Sequence, residues 1–362
     1  MFINQLDLTD FRSYSTLELP LNNNTHIFLG ENGEGKTNII EAVMFLALLS
    51  SHRTSTTTPL IKLGKERAYI RTKITEENRT ISIEIEINNG RANRVKVNQN
   101  PVRSQREIAG IVKAICFSPE DLDLVRGDPS ERRTFLDHLI VQKNPRLSAV
   151  ITDFDRALKQ RNSLLKARAP QSSLEPWDGH LINFGSELLA ARLNMVESLI
   201  PYFQSSYNSI SSKKKVGLGY KSSIEGATTN TESNRTLFTE SLSKIRNQER
   251  ERGLSLIGPH RDDLLLNLED QPVKGYASHG ESWSVALSLR LASFYLMRAE
   301  GAKPILILDD VFSELDERRR ESLAKITQEA EQSLITVAVA NDLPKDIVGE
   351  RYLVTSGKVS KL

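Results

Sequence analysis

The chain carries Gly30-Glu31-Asn32-Gly33-Glu34-Gly35-Lys36-Thr37, a complete G-x-x-x-x-G-K-T loop, and its setting constrains the fold more than any other feature. His26 to Leu29 reads as a short buried strand and Asn38 to Leu49 carries apolar side chains at helical spacing. The loop therefore joins a strand to a helix N-terminus, as a phosphate-binding loop requires. Glycine lets backbone N–H groups close on phosphate oxygens without interference from Cβ, and the helix dipole favours an anion there. Lys36 is expected at the β- and γ-phosphates of ATP, and Thr37 is expected to offer its hydroxyl to Mg2+. Glu31, Asn32 and Glu34 complete the loop around the nucleotide. A glycine turn that binds nothing would not need the flanking strand and helix.

The second half of the chain narrows the class. Pro304-Ile305-Leu306-Ile307-Leu308-Asp309-Asp310 is an apolar strand ending in two carboxylates, the pattern of a strand buried on both faces of a parallel sheet. Two acids after a strand also suit a solvated strand end or a helix cap. Beside a phosphate loop they read as a Walker B pair, with Asp309 holding Mg2+ and Asp310 placed as general base for the attacking water, Lys36 being its catalytic partner. Upstream, Ser278-His279-Gly280-Glu281 opens an apolar-periodic helix running to about Met297; downstream lies Ser313-Glu314-Leu315-Asp316. Together these are the marks of ABC-type ATPase heads. In such heads Ser278 and Gly280 would bind the γ-phosphate held by the opposite subunit, again a helix N-terminus with a serine hydroxyl facing an anion.

Composition excludes several classes. Lys and Arg number 48 against 46 Asp and Glu, a net charge of +2, so any DNA surface must be local. A single cysteine, Cys116, leaves no disulfide framework and suits a reducing compartment. No apolar stretch approaches the roughly 20 residues of a membrane span, and Met1 to Gln5 has no basic region leading into an apolar core. The expectation is a soluble cytoplasmic protein with no membrane partner.

Residues up to about 115 read as strands and turns around one helix. Ile81, Ile83, Ile85 and Ile87 alternate, and Asn88-Asn89-Gly90 signals a hairpin into Val95-Lys96-Val97. From Pro119 to about Glu251 helical patterns are broken by Pro145, Pro170, Pro176 and Pro201, and the Ser/Thr/Asn/Lys-rich segment from Ser205 to Asn234 is expected to be a mobile loop. Strand patterns return at Leu254 to Ile257, Leu264 to Leu268, Ile305 to Leu308 and Leu334 to Val339. The expected architecture is α/β, an ABC-type P-loop ATPase head built on a mixed sheet with central parallel strands and carrying an inserted helical lobe. Its expected divisions are 1–116 and 254–362 for the head and 117–253 for the lobe.

With those residues in place, the chain resembles the RecF family of recombination-mediator ATPases over most of its length. The resemblance rests on Leu6 to Tyr14, the P-loop with Asn38 and Glu41-Ala42, Ser51-His52-Arg53, Phe117 to Leu122, Arg132 to Asp137, Gly258-Pro259-His260-Arg261-Asp262-Asp263 and Asp309 to Asp316. It implies an ATP-dependent homodimer, nucleoid-associated, that binds DNA at single-strand/double-strand junctions and gaps. With RecR and RecO such a protein helps load the RecA recombinase in repair, replication restart and the SOS response. Family signatures usually read Ser-Gln-Gly-Gln, whereas His279 and Glu281 stand here. The places of the Mg-sensing glutamine and switch histidine hold Ser118-Pro119-Glu120-Asp121 and Ala340-Asn341-Asp342, so hydrolysis is expected to be weak and to serve as a switch.

Candidate DNA contacts are Arg132, Arg133, Arg156, Lys159 and Arg161, the last three in a basic run with Lys166 and Arg168. Phe154, Leu158 and Leu165 share a helical face there, so snorkelling cations beside a core stripe explain the run as well. Lys213-Lys214-Lys215 reads as a solvated charge run or a loop touching phosphates. His260 and His279 have no Cys or His at ligand spacing. Two other classes fit less well. An SMC/Rad50-like chromosome or DNA-end-processing head would carry long heptads, and an ABC transporter subunit would not separate P-loop and signature by a long lobe.

Overall fold

The computed structural model describes residues 1–362 except His52, Ser55, Asn78, Ser212 and Lys213. Along the chain run β1 (Phe2–Phe11), β2 (Tyr14–Pro20), β3 (Thr25–Leu29), α1 (Lys36–Leu48), β4 (Arg67–Glu76), β5 (Arg79–Asn88), β6 (Arg94–Val97), β7 (Asn100–Pro101) and β8 (Ala114–Phe117). Then come α2 (Leu122–Arg126), α3 (Pro129–Lys143), α4 (Leu147–Lys166), α5 (Gln171–Ile210), β9 (Val216–Lys221), α6 (Thr231–Arg252), β10 (Asp263–Leu268), β11 (Gln271–Pro272), α7 (Val273–Tyr276) and α8 (His279–Ala299). The chain closes with β12 (Ile305–Asp309), α9 (Glu317–Glu329), β13 (Ser333–Val337), β14 (Glu350–Thr355) and β15 (Lys358–Lys361).

Two compact units result: Met1–Asp121 with Ser209–Ser211 and Leu287–Leu362, and Leu122–Asn208 with Ser212–Ala286. The first contains two sheets. One is antiparallel, in the order β2-β1-β4-β5-β6-β7. Its isoleucine alternation does what the sequence predicts, for Ile83, Ile85 and Ile87 are buried while the residues between them are only partly covered. The other sheet runs β15-β14-β3-β13-β12-β8, with every pairing parallel except β14–β15. All five residues of β12 and of β13 are buried, as strands covered on both faces must be. Helix α1 belongs to one apolar cluster with both sheets: Ile39, Val43 and Phe45 share it with Leu6, Ile70 and Ile85 and with Phe28, Ile307 and Leu334. That setting explains a helix buried from Ile39 through Ala47 with little amphipathicity. Strand β3 and α1 are thereby anchored in the core, and the loop between them lies at the C-terminal end of β3. The fold is an ABC-type α/β head with an inserted, mostly helical lobe.

Several sequence expectations are corrected. The lobe's second boundary falls inside α8, between Ala286 and Leu287, not at 253/254, because β9, β10 and β11 form a small sheet of their own within the lobe. Pro176 and Pro201 lie inside the 40-residue helix α5 rather than breaking it; buried Leu181, Leu188, Leu199 and Phe203 offset a cost of about 3 kcal/mol per interior proline. The segment expected as a mobile loop contains the end of α5, strand β9 paired to β10, and Asn230, whose side chain caps α6 by accepting from Ser233 N. Leu254 to Ile257 is irregular backbone rather than a strand. The Ser255 and Leu256 N–H groups donate to the Asn162 and Glu249 side chains, so no partner strand is needed.

Candidate nucleotide site

The loop between β3 and α1 adopts a conformation that its glycines dictate. A Cβ on Gly30 would lie 2.3 Å from the Val354 carbonyl oxygen of β14. Gly35, at φ 113°, precedes the first turn of α1, and a Cβ there would meet Ser13 Oγ at 2.9 Å. Lys36 is buried; its Nζ donates to the carbonyls of Gly30 (2.8 Å) and Glu31 (3.1 Å), approaches Asn32 Oδ1 at 3.5 Å and lies 3.8 Å from Asp310 Oδ2. Glu34 plays a separate part. Its carboxylate accepts from the Ser356 N–H and its carbonyl from the Gly357 N–H at 3.2 Å, tying the loop to the β14–β15 turn.

The end of β12 faces this loop. Thr37 Oγ1 donates to Asp309 Oδ1 at 3.3 Å, and Thr336 of β13 donates to the same oxygen at 2.5 Å. Burial pushes the Asp309 carboxyl up to about 6, against the pull of the Thr336 hydrogen bond, with Asp310 and Glu120 adding repulsion. Asp310 is also raised by burial, while Lys36 pulls it down. Its Oδ1 is buried without a hydrogen-bond partner among the described residues, and its φ is 50°. Such strain and unmet polarity cluster at functional sites. Lys36, Thr37, Asn38, Arg53, Asp310 and Asp342 help to line a cavity of about 430 Å³.

Arg53, part of the Ser51-His52-Arg53 string, also lines the cavity. It lies 3.7 Å from Glu41, a fully buried carboxylate that accepts two hydrogen bonds from Arg12 and one from Ser51. Those bonds hold Glu41 below the usual carboxylate range despite its burial. A charged residue inside the apolar pattern of α1 was the signal available. The neighbouring His52 lies outside the described residues. Thr336, between Ile335 and Val337 in β13, gave no motif at all.

The signature residues lie in the other unit. Ser278 caps α8 reciprocally with Glu281: Ser278 N donates to Glu281 Oε2 at 2.8 Å and Glu281 N to Ser278 Oγ at 3.3 Å, a capping box. Lys214 donates to Glu281 Oε1 at 2.7 Å. Those bonds, that of Lys214 foremost, hold the Glu281 carboxyl down at about 2. Gly280 is half-buried in the same turn.

Two of the expected DNA contacts are overturned. Arg161 is 1% exposed, in the stripe Phe154, Ala157, Arg161, Leu165 of α4, and donates to Asp178, Glu249 and Ser255. Arg132 is buried, donating twice to Asp263 and to the carbonyls of Leu124 and Gly127. Arg133 is half-buried and donates to the Asp262 carbonyl. Arg156 and Lys159 are exposed. Of the lysine run, Lys214 and Lys215 are exposed and Lys213 lies outside the described residues. Among the described residues no group of three or more His, Cys, Asp or Glu side chains is placed to hold a metal ion, and no helix is long and apolar enough to cross a membrane.

A family model of the RecF/RecN/SMC N-terminal domain matches residues 2–355. The DNA replication and repair protein RecF of Streptomyces avermitilis is 46% identical over 373 residues, covering all of both chains. That of Beutenbergia cavernae is 45% identical over 396 residues, again covering both in full. Among solved structures, the recombination mediator protein RecF-ATP of the RecFOR pathway superposes with a TM-score of 0.90 at 28% identity, covering 100% of this chain and 99% of that one. An Smc head from Pyrococcus furiosus, at TM-score 0.57 and 16% identity over 100% of this chain and 96% of its own, shares the fold. Matched by the family model over nearly its whole length and by full-length relatives at 45–46% identity, the chain belongs to the RecF family.

Proposed function

We propose that the chain is an ATP-dependent, DNA-binding recombination mediator of DNA repair and replication, which dimerises on ATP and uses slow hydrolysis as a release switch. The observation that carries this reading is the convergence of Lys36, Thr37 and Asp310 on one cavity in the head, with Asp309 behind them accepting from the Thr37 hydroxyl. The residues fit ATP with Mg2+. Lys36 is a buried cation held chiefly by loop carbonyls, Asp310 Oδ1 has no partner, and Asp309 is a desolvated carboxylate with no Lys or Arg beside it among the described residues. Magnesium bound through phosphates and one or two protein oxygens needs no larger protein cage.

When bound, ATP with Mg2+ would supply the γ-phosphoryl group and a compensating positive charge. Lys36 would offer its donors to the β- and γ-phosphates, Thr37 and Asp309 would hold the cation, and Asp310 would take the proton of the attacking water. Ser278 and Gly280 are assigned to the γ-phosphate of a second copy, since a capped helix N-terminus with exposed Ser278 suits an anion. Arg156 and Lys159 stay as candidates for DNA phosphates; the RecFOR pathway named for a solved relative supports RecR and RecO as partners, while RecA loading and action in the cytoplasm on the nucleoid are proposed from the resemblance alone. Sedimentation tests the reading: the chain should run as a monomer alone, as a dimer with ATP and Mg2+, and with gapped DNA when ATP is present. A chain that stays monomeric with ATP at micromolar concentration would contradict the switch.

A further inference from the structure

Thr336 is fully buried and stands opposite Asp309 in the parallel register of β12 and β13. Its hydroxyl works in both directions, donating to Asp309 Oδ1 at 2.5 Å and accepting from the Asp310 N–H at 2.9 Å. The Asp310 N–H also points to the Thr336 carbonyl at 3.2 Å. Asp310 needs such a hold, because its φ of 50° is a conformation that residues with a Cβ keep only where neighbours over-determine it. The hydroxyls of Thr37 and Thr336 both reach the same oxygen, Asp309 Oδ1. Packing alone asks for no hydroxyl at 336: the strand is buried throughout, and Ile335 and Val337 are its neighbours.

We propose that Thr336 is a positioning residue for the nucleotide chemistry, its single hydroxyl fixing the Asp309 carboxylate and the Asp310 backbone together. The proposal rests on the reading of this site as an ATP and Mg2+ site and adds a residue to it. Both acids are then presented to the P-loop as a unit. Losing the hydroxyl frees the Asp309 rotamer and releases Asp310 from its left-handed turn, with little change in the loop that grips the phosphates.

The test compares Thr336→Val and Thr336→Ser with the wild-type chain. Without nucleotide, the Asp310 amide should exchange with solvent about tenfold faster in Thr336→Val, as read by NMR. With ATP, Thr336→Val should lose about tenfold or more in kcat and need several-fold more Mg2+, while KM for ATP stays within about threefold. Thr336→Ser should recover kcat to within about threefold of wild type, because it keeps the hydroxyl. A threonine that matters only for packing would lower Tm in both variants and leave kcat per folded molecule and the Mg2+ requirement unchanged; that result overturns the proposal. So does a Thr336→Ser as impaired as Thr336→Val. If the wild-type chain binds no nucleotide, the functional reading fails on its own, and unchanged Asp310 exchange in Thr336→Val would separately refute the positioning role.

Discussion

Two regions of this molecule bury charge, and they do so in opposite ways. In the lobe, Arg161 donates to two carboxylates and a hydroxyl, and Arg192 to both oxygens of Asp137 and to the Pro259 carbonyl. In the head, Asp309 is buried against hydroxyls and Asp310 keeps an unpartnered oxygen. A buried charge whose every donor is met holds a fold together, whereas one left incompletely neutralised is held ready for something that arrives later. The difference separates an arginine of the core from carboxylates of a site, although all are charged residues within apolar patterns.

The comparison predicts stability effects of opposite sign. Arg161→Ala takes the closest cation from Asp178 and Glu249, which are 8% and 0% exposed, leaving Asp178 with Arg246 at 3.4 Å and Glu249 with the Leu256 N–H, and should cost about 3–5 kcal/mol in urea unfolding. A loss below about 1 kcal/mol would show that the lobe does not depend on this network. Asp309→Asn should do the reverse. The folded Asp309 carboxyl titrates near 6 against 3.8 for a free one. Between those values the native state holds the proton more tightly, so stability falls as pH rises and the penalty is complete above both. Asparagine removes it, so the nucleotide-free variant should be more stable than wild type by about 2–3 kcal/mol at pH 8, and the gain should fade below about pH 4. Thermal melts across that range check the sign; a destabilised variant at pH 8 would place Asp309 among the structural charges instead.

A smaller effect sharpens the division between the units. Ser278→Arg should leave ATP binding by the monomer nearly unchanged yet weaken ATP-dependent dimerisation by about tenfold or more, since a bulky cation replaces a small hydroxyl. Mixed with Lys36→Ala protein it should partly regain association, because one of the two composite sites in such a heterodimer is intact. Strong dimerisation by Ser278→Arg alone would argue against action across the dimer.

The phosphate loop, β12 and the start of α8 were legible because each joins a local pattern to a functional spacing: glycines before Lys36, apolar residues before two acids, Ser278 three residues before Glu281. Arg161 misled because a basic run looks the same whether its members point outward or into a core, and the partners that decide it, Asp178 and Glu249, lie 17 and 88 residues away. Arg132 misled for the same reason, its partner Asp263 being 131 residues distant. Strand β9 was hidden by Gly217 and Gly219 and by the lysine run before it, since its pairing with β10 is non-local. Thr336 was hidden because its role depends on register between strands, which no local window records.

The most direct test of the central claim, that the head's unmet polar groups form an ATP site, is a fluorescence titration of nucleotide with Mg2+ against wild type and Lys36→Ala. Among the described residues Lys36 bonds to loop carbonyls and Asn32 and lies near Asp310, so the variant should melt within a few degrees of wild type. Its affinity should nevertheless fall about 100-fold, the loss of roughly 3 kcal/mol of charge-assisted hydrogen bonding to phosphate. A folded Lys36→Ala that binds nucleotide as tightly as wild type would contradict the account.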